Sequence, residues 1–161
     1  PTAGATAEPS GNPGAPGAAS LTHAQAGLMK LDGLAALPAG HGVQAHAGYP
    51  GKGYHYGVFR NPDELAAFVR VADVAALPEV DWIREVVAYV VLDAQTNALE
   101  APRLTTSGDR ATLTVTVDGI EPFYADRTPV ALAVVRLGVV EKLSFRIDGG
   151  PELGTVAVSS E

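Results

Sequence analysis

Residues 85–92 read EVVAYVVL. From Val86 to Leu92 no side chain is charged, and four of the seven are valine. β-Branched side chains lose rotamer freedom in a helix but pack well on a pleated surface. A half-exposed strand would alternate apolar and polar residues, and this run does not. It predicts a central strand buried on both faces.

Upstream, Asn61-Pro62-Asp63-Glu64 predicts a helix start. Asn61 can cap the free amides, Pro62 suits the first helical position, and Asp63 and Glu64 favour the positive end of the helix dipole. Leu65, Phe68 and Val69 then share one face, so a helix to about Ala72 should pack on the sheet. Downstream, 99–106 and 110–118 flank the tight-turn composition Ser107-Gly108-Asp109. In the second segment Leu113, Val115 and Val117 alternate with Thr112, Thr114 and Thr116, which predicts a half-exposed hairpin strand. Strands are also expected at 130–137, 143–147 and 155–159, and short ones near 42–47 and 54–60. Residues 21–40 space their leucines in a partly helical way, but Gly27 and Gly33 interrupt the pattern, so short pieces are expected. These elements predict an α+β fold: one twisted, mainly antiparallel sheet with one principal helix packed on it.

Residues 1–20 contain only Ala, Gly, Pro, Ser, Thr, Asn and one Glu. They offer little apolar surface to offset the entropy of ordering them. The chain thus divides into an extended Gly/Pro/Ala-rich tether or docking segment (1–20), a Gly/His/Tyr-rich extension (21–60) and an α+β domain (61–161). A tether of this kind suits an exported protein of the periplasm, envelope or cell surface. Contact with a membrane is then expected only through an N-terminal anchor or a partner. Pro13 and Pro16 in the tether, and Tyr49, Tyr54 and Tyr56 in the extension, are the candidate partner-binding residues. Tyrosine is enriched at interfaces. The structural alternative places Tyr54, Tyr56 and Val58 on one strand face against the helix.

Composition narrows the chemistry. The 161 residues fit one domain, and the net charge of −7 argues against nucleic acid, which needs a surplus of Lys and Arg. There is no cysteine, hence no disulfide, thiolate metal site or cysteine nucleophile. The sequence has no nucleophile elbow, phosphate-binding loop, dinucleotide fingerprint or HExxH motif. Asp81, Glu85, Asp93 and Asp118 read as turn and edge residues rather than an acid–base pair, and Trp82 as a core plug. The histidines stand out: His23, His41, His46 and His55 are confined to one 33-residue stretch. Imidazoles bind copper and zinc, and a carboxylate such as Asp32 or Asp63 can complete such a set. Against that, no pair has a tight metal-binding spacing, and solvated histidines are the simpler reading.

Residues 61–146 resemble a bacterial family, the C-terminal domain of the PrcB-type protease complex subunit. The resemblance rests on the Asn61–Leu65 helix start, on Leu77-Pro78-Glu79-Val80-Asp81-Trp82 leading into the strand 84–92, and on the hairpin and final strands. It departs at 93–99, where the family's Thr-Gly-Gly-Tyr turn keeps only Thr96. The resemblance implies an α+β fold, an exported or lipid-anchored location and an accessory role without catalytic residues. Three functions follow as expectations. The first is a non-enzymatic accessory or binding subunit of a bacterial envelope assembly, with a protein partner or as a homo-oligomer and with no cofactor required. The second is an envelope metalloprotein holding copper or zinc, of superoxide dismutase type. The third is a protease-associated or protease-inhibitory module.

Overall fold

The computed structural model describes residues 19–38, 42–45, 53–92, 97–107, 110–120, 127–149 and 152–158. Twelve strands are present among them: β1 (Ser20–Lys30), β2 (Gly42–Ala45), β3 (Gly53–Phe59), β4 (Ala72–Asp73), β5 (Glu85–Leu92), β6 (Asn97–Leu99), β7 (Arg103–Ser107), β8 (Arg110–Val115), β9 (Val117–Ile120), β10 (Arg127–Arg136), β11 (Lys142–Ile147) and β12 (Glu152–Ala157). A single α-helix, α1, spans Pro62–Val69, and a 3-10 helix spans Leu31–Ala36.

The strands form a six-stranded sheet in the order β2-β3-β5-β10-β1-β4, a four-stranded sheet β12-β11-β8-β7 and a small β6-β9 pair. In β5, every residue is buried. Val86, Ala88, Val90 and Leu92 face one core, and Val87, Tyr89 and Val91 face another. Its neighbour β10 divides the same way, with Ala131, Ala133 and Val135 on one side and Val130, Leu132 and Val134 on the other. The first core is closed by the four-stranded sheet through Leu113, Leu143 and Phe145, among others. The second is closed by Phe68 of α1, by Leu37, and by partly buried residues of 71–82, including Trp82.

The result is a β-sandwich with a thin third layer, which corrects the expected α+β sheet covered by one principal helix. The physical reason is area. A strand pair buried on both faces needs cover on both, and an eight-residue helix supplies only part of one. The alternating segments 103–107, 110–115 and 142–147 were expected to extend a single sheet. They instead pair with each other and lay their apolar faces on the first sheet.

The start of α1 forms as the sequence predicts. The Asn61 side chain accepts from the Glu64 amide at 2.9 Å, and the Glu64 carboxylate accepts from the Arg60 amide at 2.8 Å. The helix ends at Val69 rather than near Ala72, because Ala72–Asp73 joins β1 as β4.

The largest local difference is at 21–30, where the expected short pieces are one eleven-residue strand. The register of β1 against β10 shifts between Leu21 and His23, so its face changes and the two-residue period is hidden in the sequence. Gly27 is needed for approach rather than for a break: a Cβ there would stand 2.8 Å from the Asp73 carbonyl oxygen. Gln25 fastens the same segment, since its amide group exchanges two 2.9 Å hydrogen bonds with the main chain of Ala75. With β1, β2 and β3 in the same sheet as β5 and β10, residue 60 marks no break in the six-stranded sheet.

Candidate functional site

The residues singled out from the sequence do not converge among the described residues. His55 pairs in register with Val91 of β5, and His23 with Val134 of β10. Three strand spacings and four residues of strand length separate them, roughly 19 Å at the backbone. Two imidazoles ~2 Å from one metal cannot be placed so far apart. His41 and His46 lie outside the described residues, as do Pro13, Pro16 and Tyr49. No group of three His, Asp or Glu side chains gathers around a common point among the described residues.

Tyr54 and Tyr56 belong to the inter-sheet core rather than to a docking loop. Tyr54 is 6% exposed, and the Tyr56 ring lies 5.3 Å from that of Phe145. They share a face, as one reading of the sequence has it, but the partner layer is the second sheet and not the helix.

Asp81 and Glu85 build the turn before β5. The Arg84 guanidinium donates to Asp81 at 2.9 Å, and the Asp81 amide donates to Glu85 at 2.8 Å. The hydrogen bond from Arg84 holds the Asp81 carboxyl below the usual range. Asp93 and the side chain of Asp118 lie outside the described residues.

The surface with a defined chemistry is the outer face of the four-stranded sheet. Leu104, Leu113, Leu143 and Phe145 point inward to the core, so their sequence neighbours point outward. β8 and β11 run parallel while β7 and β12 run antiparallel to them. That register aligns the outward residues in three rows across the sheet. The first row is Arg103–Thr114–Arg146–Glu152, the second Thr105–Thr112–Ser144–Thr155, and the third Ser107–Arg110–Lys142–Ala157.

Hydroxyls fill the middle row, with Ser144 Oγ 3.1 Å from Thr155 Oγ1. Cations occupy the rows on either side. Thr114 and Ser144 are buried, whereas Arg103, Arg110, Lys142 and Arg146 are exposed. Four of the eleven Lys and Arg residues of a chain with net charge −7 therefore lie on one face.

A cleft of about 450 Å³ opens at the first row, with Arg103, Thr105, Thr114, Arg146 and Asp148 as its polar wall. Leu21 and Leu104 add an apolar flank. Its size lies within the range of small-ligand sites. Arg103 pairs with Asp148 at 3.2 Å, but both side chains are more than half exposed, so the pair contributes at most about 1 kcal/mol. Thr116 Oγ1 also reaches Asp148, at 3.5 Å. The Arg146 side chain makes no hydrogen bond or ion pair with a described residue.

The cleft was missed from the sequence because its residues come from β7, β8, β11 and the turn after β11, joined by the β8–β11 parallel pairing. Only the alternating threonines of 112–116 gave a sign of an outward hydroxyl face. No family model, curated protein or solved structure matches this chain.

Proposed function

We propose that this chain is a non-enzymatic binding module, an accessory subunit of a bacterial cell-envelope assembly that captures an anionic partner on the outer face of its four-stranded sheet. One observation carries the reading: the outer face of the four-stranded sheet gathers exposed Arg103, Arg110, Lys142 and Arg146 around a row of hydroxyls on an acidic protein. A sheet face facing water needs only a polar coat of mixed sign. Among the described residues of the three rows and the cleft, four cations stand against the two acids Asp148 and Glu152. Such a patch draws an anionic partner despite the overall charge, because exposed charges are screened beyond about 8–10 Å at physiological salt. The tether-like composition of residues 1–20 and the resemblance over 61–146 support an extracytoplasmic accessory role.

The test is retention on a polyanion matrix at pH 7 and low salt. The intact chain is retained and elutes with salt, and the double variant Arg103→Glu/Arg146→Glu flows through with its melting temperature unchanged. An intact chain that does not bind the matrix, or a double variant held equally well, refutes the reading.

A further inference from the structure

We propose that the partner held on this face is an acidic polysaccharide of the polyuronate type, with its carboxylates seated on the two arginines of the cleft. The inference rests on the binding-face reading above and assigns its ligand.

Arg103 and Arg146 flank Thr114 on either side, so their backbones stand two strand spacings apart, roughly 10 Å. A guanidinium is a planar fork that matches a carboxylate with two parallel hydrogen bonds. The Arg146 side chain has no partner among the described residues, and Arg103 has only the exposed Asp148 to release. A ligand carboxylate takes the place of Asp148 at little cost, since an exposed pair of this kind is weak.

The hydroxyl row comes next. Thr105 and Thr155 are exposed and Thr112 is half-buried, and each hydroxyl can donate and accept, which suits the hydroxyls of a sugar ring; the buried Ser144 supports Thr155 from below. Arg110 and Lys142 lie beyond it, four residues and roughly 13 Å along the strands from the first row. The order across the face is therefore cation, hydroxyl, cation. A polyuronate, with a carboxylate and free hydroxyls on every ring, can meet both the cations and the hydroxyls of such a face.

Two other anionic polymers fit less well. An acidic peptide brings carboxylates to the arginines but has no ring hydroxyls to meet the exposed threonines of the middle row. Single-stranded nucleic acid is held by aromatic side chains that stack on its bases, and no outward residue of the three rows is aromatic.

Titration calorimetry of the full chain at low ionic strength tests this, with a defined-length oligogalacturonate as the probe. Maltodextrin of equal length and poly-L-glutamate are the comparisons. The oligogalacturonate binds and maltodextrin does not. Arg146→Gln and Arg103→Gln each weaken binding about tenfold or more. Arg70→Gln, which removes an exposed cation at the end of α1, leaves it unchanged. Thr105→Val weakens the saccharide.

Poly-L-glutamate binding as tightly as the saccharide would overturn the glycan assignment. So would a polyanion matrix that retains the chain while oligogalacturonate gives no heat and no shift in melting temperature. Both results leave the binding-face reading standing. Oligogalacturonate binding that survives Arg146→Gln and Arg103→Gln unchanged moves the saccharide off this cleft. A chain that no polyanion retains ends both proposals.

Discussion

Tyr89 sits at the centre of β5 with its hydroxyl fully buried and without a hydrogen-bond partner among the described residues. Its ring is held by Phe59, 4.6 Å away, which in turn packs on Phe68 at 5.1 Å. Replacing it by phenylalanine removes the orphaned oxygen and keeps the ring. An unsatisfied buried hydroxyl costs about 1–3 kcal/mol. The oxygen's own packing contacts, at about 0.1–0.2 kcal/mol each, recover only part of that. Tyr89→Phe should therefore stabilise the protein by about 0.5–2 kcal/mol at pH 7. The melting temperature then rises about 2–4 °C per kcal/mol in a chain of this size.

The advantage should grow in alkali. Burial, and secondarily the Glu64 carboxylate, push the Tyr89 phenol far above its ordinary value of 10.0. Above that value the unfolded chain loses the phenolic proton while the native chain keeps it. The unfolded state then binds fewer protons, and native stability falls as pH rises. Tyr89→Phe lacks this loss, so its margin widens by about 1.4 kcal/mol per pH unit above about pH 10.

Gly57 gives an independent check, because a Cβ there would lie 2.7 Å from the Tyr89 hydroxyl and 3.1 Å from the ring carbon that bears it. Gly57→Ala should cost more in the parent protein than in Tyr89→Phe, with a coupling above about 0.5 kcal/mol. Urea unfolding at pH 7 and at several pH values above 10 measures all three quantities. A Tyr89→Phe variant less stable than the parent by more than about 0.5 kcal/mol, or one declining in parallel with it in alkali, would refute the reasoning.

Other outcomes follow from single contacts. Asn61→Ala removes the side-chain acceptor of the Glu64 amide and should destabilise by about 0.5–2 kcal/mol in urea unfolding. A cost near zero would show that Asn61 does not hold the helix start. Gln25→Ala breaks both bonds to Ala75 and should raise amide exchange across 71–77 well before the β5 amides respond. Uniform exchange across both regions would deny that residue its fastening role. A Cβ on Gly154 would fall within the Tyr56 ring, so Gly154→Ala should cost about 1–3 kcal/mol, and a neutral result would show that the ring moves freely. Elemental analysis of untagged protein should find copper and zinc far below one per chain. Stoichiometric metal lost in His46→Ala/His55→Ala would favour the metalloprotein reading.

The strands legible in the sequence were those whose burial is uniform or strictly alternating. The expected 86–92 and 143–147 are observed as 85–92 and 142–147, since valine runs and strict alternation each correspond to one physical environment. The cap at Asn61 was legible because it depends on four adjacent residues. The sandwich was not, because alternation tells that a strand has an apolar face without telling which layer that face meets. Leu113 and Phe145 would look the same on an extension of the first sheet as on a second one. Strand β1 was hidden by its register shift. The cleft depends on a parallel pairing between β8 and β11, and no local signal records which distant strand lies alongside. For two of the histidines closeness along the chain does not carry over into space, since His23 and His55 stand on strands with two others between them.

The place of β1 has a consequence for how the chain is made. Its principal partner is β10, and the Thr22 hydroxyl bonds to the Val134 carbonyl 112 residues later. Most of β1 therefore waits for residues 127–136 to be made, and only Leu28 and Met29 can pair earlier, with Ala72–Asp73. β10 also separates β8 from β11 in sequence while lying in the other sheet, so neither sheet completes alone. Such a topology gives high contact order and slow folding in a single concerted step. It also leaves the edges of β1 and β5 open to other strands for as long as β10, which lies between them, is missing.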